Sequence, residues 1–153
     1  MSGHPSVAAP TLVSLLICDQ VIDDRLSGKK SAIGLFSTIV VPGLPTRVQH
    51  MAVMATLTEI TGRTPLQLRL VRDDDNYVLM RTDGHVEAPN PLALVDLVFA
   101  LQGVPFDRAG QYAFELLSQG ELLGRRRFQL VIGRLRPPGA VPPFSVPPPE
   151  AGA

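Results

Sequence analysis

The residue types that most often carry catalysis are few in this sequence and stand far apart. Its histidines are His4, His50 and His85, and its single cysteine is Cys18. Nucleophilic catalysis needs a nucleophile, a general base and an orienting group held together. No serine lies in a G-x-S-x-G motif, and no basic residue beside Cys18 would lower the pKa of its thiol. We therefore predict a protein that is not an enzyme and that uses no cofactor.

Two acidic clusters are the candidate metal ligands. Asp19, Asp23 and Asp24 form one cluster, while Asp73 and Asp75 belong to the run D-D-D-N. Zinc is not expected, because the sequence has neither paired cysteines nor an H-x-H or H-E-x-x-H motif. Calcium takes oxygen ligands from loops, so aspartates on two loops at one end of a sandwich could hold it. The alternative, which we favour, is that D-D-D-N forms a solvated hairpin turn, since Asp and Asn favour turns.

Arginines gather near the C-terminal end of the chain. A segment of twelve residues without an acidic side chain contains Arg125, Arg126, Arg127, Arg134 and Arg136. The totals of 14 Lys+Arg and 14 Asp+Glu therefore hide an uneven distribution of charge. Arg125 and Arg127 lie on the strand face opposite Phe128, so we predict that their guanidiniums face solvent.

The candidate partner-binding residues are Arg125, Arg127, Arg134 and Arg136. They would form a basic face for an acidic partner, another copy of the chain or a nucleic-acid backbone. Zero net charge and a low aromatic content argue against nucleic acid. The alternative is an exposed strand edge that its charges protect from aggregation.

The elements that position these residues are predicted to be strands. The dominant hydrophobic period is two: Leu66, Leu68 and Leu70 alternate with Gln67 and Arg69. Turn signals rich in Gly, Pro, Asp and Asn recur at short intervals, and one of them predicts a turn at Asp83-Gly84. We predict strands over 11–19, 31–41, 48–60, 65–72, 76–82, 93–103, 110–118 and 121–132. Eight short strands indicate an all-β fold, an antiparallel β-sandwich.

The segment 93–103 has an alternative as a helix. Asn90 could cap it, Pro91 could be its first residue and Gly103 could end it. Five apolar residues, however, share one strand face, which favours a strand: Ala93, Val95, Leu97, Phe99 and Leu101. An apolar content of 45% is enough to build a core for the domain.

The chain divides into a flexible N-terminus (1–10), a sandwich domain (11–136) and a proline-rich tail (137–153). Seven of the seventeen tail residues are proline. Proline lacks the amide donor that helices and interior strands need, so we predict a disordered, extended tail. A docking peptide for an aromatic-lined groove is the alternative.

The apolar run Leu12–Cys18 is too short to span a bilayer. It also lacks the preceding positive charge of an export signal, so we predict a cytoplasmic location. Twelve of the fourteen basic residues are arginine, which indicates a GC-rich bacterial genome.

Asp107, Gly110 and Tyr112 resemble the D-x-x-G-x-Y run of immunoglobulin-like sandwiches. In those domains, the tyrosine hydroxyl bonds back to the backbone at a sheet corner. The resemblance implies an immunoglobulin-like sandwich with a tyrosine corner at Tyr112. The disulfide and core tryptophan of antibody domains are absent, because the chain has one Cys and no Trp.

A broader resemblance covers residues 12–132. An early I-C-D at 17–19, G-K at 28–29, I-G-x-F at 33–36 and the hairpin motif G-x-Y at 110–112 are similar to a family of small, uncharacterised bacterial proteins. The resemblance implies a β-rich fold and no catalytic residues.

The sequence as a whole favours a non-enzymatic module that acts through protein–protein contacts, with another protein or with itself. A calcium- or ligand-binding sandwich that uses the acidic loops is the first alternative. A structural subunit of a larger assembly, joined through an open sheet edge, is the second.

Overall fold

We describe the protein from a computed structural model that defines residues 8–133. Arg134, Arg136 and the predicted tail 137–153 lie outside the described residues. Nine strands make up the domain: β1 (Thr11–Asp23), β2 (Lys30–Leu35), β3 (Thr38–Val41), β4 (Thr46–Thr58), β5 (Thr64–Arg72), β6 (Val78–Val86), β7 (Val95–Phe106), β8 (Gly110–Ser118) and β9 (Glu121–Ile132).

The strands form two sheets that pack as a sandwich. Sheet A has the order β2-β1-β4-β7, and sheet B has the order β3-β9-β8-β5-β6. Neighbouring strands are antiparallel except for β3 and β9, which are parallel. Residues 8–133 contain no helix, and so none that could cross a membrane. The predicted all-β sandwich is therefore confirmed.

The core lies between the inner faces of the two sheets. Sheet A contributes buried aliphatic side chains such as Ile17 and Val53, and sheet B contributes an aromatic group centred on Phe128. The Phe128 ring stacks on Tyr112 and Phe114 at centroid distances of 5.7 and 5.5 Å. Burial of each such ring is worth about 2–3 kcal/mol of hydrophobic free energy. This shared core fixes the register of every strand that carries a candidate site.

The prediction of one strand over 31–41 was wrong. β2 ends at Leu35 in sheet A, and β3 begins at Thr38 in sheet B. Gly34 has a φ of 72°, which L-residues with a side chain seldom adopt, and the Asp19 side chain fills the space where a Cβ would lie. The chain therefore crosses from one sheet to the other, although its apolar pattern is continuous.

Two further local predictions had opposite outcomes. The predicted turn at Asp83-Gly84 was wrong, because β6 continues through it to Val86, and Asp83 accepts a 2.9 Å hydrogen bond from Gln67 on β5. The prediction of a strand over 93–103 was confirmed, since β7 covers most of it. Asn90 caps a turn before this strand by accepting a 2.9 Å hydrogen bond from the Leu92 amide.

Candidate functional site

The outer face of sheet B carries a row of charged side chains across three strands. Arg69 on β5 is opposite Glu115 on β8, which is opposite Arg125 on β9. A nitrogen of Arg69 donates a 3.1 Å hydrogen bond to Glu115, and Arg125 lies 3.8 Å from the other carboxylate oxygen. The Glu115 side chain, which is 11% exposed, therefore places its carboxylate between two guanidiniums. Cross-strand pairing places these charges together despite their separation along the chain.

Asp73 extends this row at the end of β5. Its carboxylate accepts a 2.7 Å hydrogen bond from Arg125 and lies 3.6 Å from the guanidinium of Arg127. Both arginines lie on the predicted outer face, where the side chain of Arg125 is 27% exposed and that of Arg127 is 67% exposed. Strand alternation gave the correct face, but it could not reveal the acids that neighbouring elements bring there. Arg127 is thus the more accessible of the two for a partner.

The D-D-D-N run forms a turn, as predicted, and Arg72 holds it. The Arg72 guanidinium donates hydrogen bonds of 3.0 and 2.7 Å to the two carboxylate oxygens of Asp75. This bidentate pair lowers the pKa of Asp75 well below its usual range and raises that of Arg72. Asn76 has a φ of 57°, and the Arg72 guanidinium lies 4.9 Å from the ring centroid of Tyr77. The turn therefore holds the aromatic ring of Tyr77 just before the start of β6.

The other three aspartates have separate roles at the end of β1. Asp19 lies against Gly34, and Asp23 lies 3.1 Å from the ammonium of Lys30. Asp24 accepts hydrogen bonds of 2.9 Å from the Leu26 amide and of 2.9 Å from the Ser27 hydroxyl, and the former is the main cause that lowers its pKa. Within residues 8–133, no three His, Cys, Asp or Glu side chains are grouped to hold a metal ion. The structure thus does not bring the candidate calcium ligands Asp19, Asp23, Asp24, Asp73 and Asp75 together.

The two described histidines lie on different sheets, and the cysteine thiol is buried. Cys18 is fully buried, and this burial raises the pKa of its thiol, with Asp19 adding to the effect. Its sulfur contacts the carbonyl oxygens of Gln20 and Ala52 at 3.4 and 3.8 Å. His50 lies on β4 of sheet A, whereas His85 lies on β6 of sheet B. A protonated buried thiol is a poor nucleophile, so Cys18 acts as a small apolar residue.

The outer face of sheet A is apolar, in contrast to that of sheet B. Register places Leu35, Cys18, Ala52 and Ala100 in one row across all four strands, with Leu16, Met54 and Val98 in the next row. We call these residues, with Ile33, the apolar face. Leu35 is 59% exposed and Val98 is 38% exposed. Large apolar side chains that are gathered on one exposed sheet face typify contact surfaces.

Polar residues border the apolar face at both ends. Gln20, His50 and Gln102 follow it toward the end of β1, while Thr56 and Asp96 lie beyond its other edge. Asp96 accepts a 2.6 Å hydrogen bond from the Thr56 hydroxyl, so these two polar side chains of the rim bond to each other. The arrangement of an apolar centre and a polar rim is that of a protein interface.

The apolar face was missed at the sequence level, although a signal for it exists. β1 and β7 contain the segments LVSLLIC and VDLVFAL, in which apolar residues occupy both strand faces. Such near-continuous apolar strands are typical of sheets that are covered on both sides. A half-buried strand would instead alternate strictly, as β5 does.

A cleft of about 770 Å³ opens between the sheets at the end formed by β4, β6 and β7. Its lining includes Pro45, Gln49, Tyr77, Leu79, Pro105 and Phe106. Its size lies within the range of about 300–1,000 Å³ that is usual for ligand pockets. Tyr77 is 59% exposed and therefore presents an aromatic surface to an occupant.

Among solved structures, the chain is similar to a beta-glucosidase from Listeria innocua in complex with isofagomine, at 8% identity and a TM-score of 0.43. That match covers 80% of this chain and 16% of the enzyme chain. No curated protein matches the sequence. A sequence model described as "Family of unknown function (DUF6941)" matches residues 13–131, which is most of the chain. The expectation of an uncharacterised family is thereby confirmed, and the chain belongs to this family of unknown function.

Proposed function

We propose that this protein is a non-enzymatic module of the bacterial cytoplasm that acts through protein–protein contact, and that its contact surface is the apolar face of sheet A. The observation that carries the proposal is the contrast between the two outer faces. Sheet B exposes charged residues that are paired with one another, whereas the apolar face exposes aliphatic side chains with no charge among them. Covering aliphatic surface is favourable by about 25 cal/mol per Å² of apolar area.

The proposed occupant is the apolar face of a second copy. An uncharged surface is complementary to itself, so two copies related by a two-fold axis would meet without opposing like charges. About eight residues on each of β1, β4 and β7 and the six residues of β2, on strands about 4.8 Å apart, give the apolar face and its polar rim together a flat area of roughly 500 Å² per copy. Two such faces bury roughly 1,000 Å², the lower limit for a specific interface. We therefore expect a dimer that dissociates on dilution.

Light scattering and sedimentation over a range of concentrations test this proposal. The wild type should shift from monomer toward dimer as the concentration rises. Val98→Lys places a charge on the exposed β7 side of the apolar face and should keep the protein monomeric. Leu122→Lys is the matched control, since Leu122 is a similarly exposed aliphatic residue on β9 of sheet B.

Three outcomes decide whether the protein self-associates through the apolar face. Dimerisation that Val98→Lys abolishes and Leu122→Lys leaves unchanged supports the apolar face. A wild type that remains monomeric at every concentration would refute self-association through this face. Equal weakening by both variants would place the contact elsewhere. Thermal melting of each variant confirms that a loss of dimer is not a loss of fold.

A further inference from the structure

We propose that the cleft between β4, β6 and β7 binds the chain's own proline-rich segment, residues 137–153, within the same molecule. This site is distinct from the apolar face, so the two proposals can fail independently. The inference rests on the surface chemistry of the cleft, on where the described chain ends, and on the composition of the segment that follows.

The cleft has the surface chemistry that binds extended, proline-rich chains. Such chains lie against aromatic-lined grooves, where proline rings pack on aromatic faces and nearby polar groups bond to the exposed peptide carbonyls. Tyr77 supplies an aromatic ring, and Pro45, Leu79 and Pro105 supply an apolar lining. The Gln49 amide provides a donor for a carbonyl oxygen.

The Tyr77 ring is fixed before any ligand arrives. Arg72 lies 4.9 Å from its ring centroid, and Asp75 holds that guanidinium through two hydrogen bonds. Asp75 also accepts a 3.1 Å hydrogen bond from the Tyr77 amide. Binding to an aromatic side chain that is already ordered avoids much of the entropy loss of immobilising it.

The described chain ends beside this end of the sandwich. The Gly133 amide donates a 3.0 Å hydrogen bond to the carbonyl of Val41, and Val41 precedes the cleft residue Pro45 by four positions. In sheet B, β6 lies three strand spacings from β9, a distance of roughly 14 Å across the sheet. Pro137 follows Gly133 by four residues, a reach of about 13 Å at the maximum extension of the chain. The prolines at 142–143 and 147–149 can therefore reach the cleft.

The composition of the segment suits this occupant. Residues 137–153 contain seven prolines, and only Glu150 carries a charged side chain. Val141, Phe144 and Val146 lie among the prolines. The cleft lining also includes Arg47, which donates a 3.0 Å hydrogen bond to the Gly103 carbonyl, and Asp107, which lies 3.7 Å from Arg72. Both charges thus have partners in the fold, and residues 137–149 bring no further charge to the cleft. The restricted backbone of the segment also limits the entropy that docking removes.

Paramagnetic relaxation in the full chain tests the proposal. A nitroxide label at Ala140→Cys, in a Cys18→Ala background, reports which amides lie near the segment. A segment that does not dock stays closest to its exit point and broadens the Ile39 amide on β3 more than the Leu79 amide on β6. A docked segment should broaden Leu79 at least twofold more than Ile39. Tyr77→Ala in the same background should reverse that order.

A second variant protects the test against a misfolded Tyr77→Ala protein. Replacing the four prolines at 137, 138, 142 and 143 by Ala alters only the segment and should also abolish the excess broadening of Leu79. Leu79 broadening no greater than that of Ile39 in the parent protein overturns the proposal. So does Leu79 broadening that appears only when labelled and unlabelled molecules are mixed, because this outcome places the segment in a neighbouring molecule.

Discussion

The hydroxyl of Tyr112 donates a 2.6 Å hydrogen bond to the carbonyl oxygen of Arg108, four residues earlier in the chain. Tyr112 is fully buried, and Phe106 meets its ring edge-on at a centroid distance of 5.0 Å. The bond therefore ties the connection between β7 and β8 to the core. It is the backbone contact that the D-x-x-G-x-Y run predicted.

Tyr112→Phe should lower the free energy of unfolding by about 1 kcal/mol, the net value of a typical hydrogen bond. The substitution keeps the ring but leaves the Arg108 carbonyl without this donor. Tyr77→Phe is the matched control and should stay within about 0.5 kcal/mol, because Tyr77 is mostly exposed. Urea denaturation measures both variants. Indistinguishable midpoints for the wild type and Tyr112→Phe would show that the bond contributes nothing.

The same residue predicts a loss of stability in alkali. Burial raises the pKa of the Tyr112 hydroxyl, and the nearby Asp107 carboxylate adds to this effect. Tyrosine in the unfolded chain titrates near pH 10, at about its ordinary value. The unfolded state therefore loses its proton first, so the stabilisation is complete below about pH 10 and is lost as the pH rises through the folded pKa.

Tyr112→Phe removes that titration. The advantage of the wild type over the variant should be constant near neutral pH and should shrink above about pH 10. Cys18 and Tyr77 are common to both proteins, so their own titrations cancel in the comparison. Unfolding free energies measured at several alkaline pH values provide the test. A constant difference throughout the alkaline range would contradict the raised pKa.

Glu115 is expected to be the most sensitive member of the charged row. Glu115→Gln leaves Arg69 and Arg125 facing each other without the charge between them, so we expect destabilisation by about 2 kcal/mol. Arg127→Gln removes a charge at the exposed edge of the same cluster and should stay within about 0.5 kcal/mol. Thermal and urea denaturation compare the two. Similar small effects would mean that solvent screens the central pair as well.

Calcium should not stabilise the protein. Asp75 and Asp73 already accept hydrogen bonds from Arg72 and Arg125, so a cation would have to displace bound guanidiniums. A site with a Kd of about 1 mM would stabilise the fold by about 1.4 kcal/mol in roughly 10 mM calcium. We expect no shift in the melting midpoint relative to sodium chloride of equal ionic strength. A rise with calcium alone would revive the metal-binding alternative.

The sequence predicted what short-range patterns determine. Period-two alternation located β5 and β8. The D-x-x-G-x-Y run predicted the hydrogen bond from the Tyr112 hydroxyl to the backbone, which joins residues only four positions apart. The crossing at Gly34 was invisible, because the apolar pattern continues while the pairing partner changes from β1 to β9.

The candidate surfaces were less predictable because they depend on register between distant strands. The sequence around Arg125 does not indicate that Asp73 and Glu115 are its partners. Pairing across β5, β8 and β9 brings its guanidinium to 2.7 Å from the Asp73 carboxylate and 3.8 Å from the Glu115 carboxylate. The cleft likewise joins Pro45 to Tyr77 across two sheets. Only the order of the strands creates these contacts.

Gly34 provides the sharpest test of how the chain changes sheets. Its φ of 72° is strained for any residue with a Cβ, by about 1–2 kcal/mol. A Cβ there would also overlap the carboxylate of Asp19. Gly28 is the matched control, because it has a φ of 70° and no atom within 4 Å of a built Cβ. Gly28→Ala should therefore show the backbone strain alone.

Gly34→Ala should destabilise the fold more than Gly28→Ala does, and Asp19→Ala should recover part of the excess by removing the overlapped carboxylate. A double-mutant cycle from urea denaturation measures this coupling, which we expect to be at least about 0.5 kcal/mol. Gly34 lies between Ile33 and Leu35 of the apolar face, so Gly34→Ala should also weaken the concentration-dependent dimer, whereas Gly28→Ala should not. Equal effects of the two alanine variants, on both stability and dimerisation, would mean that the Asp19 contact does not constrain the crossing.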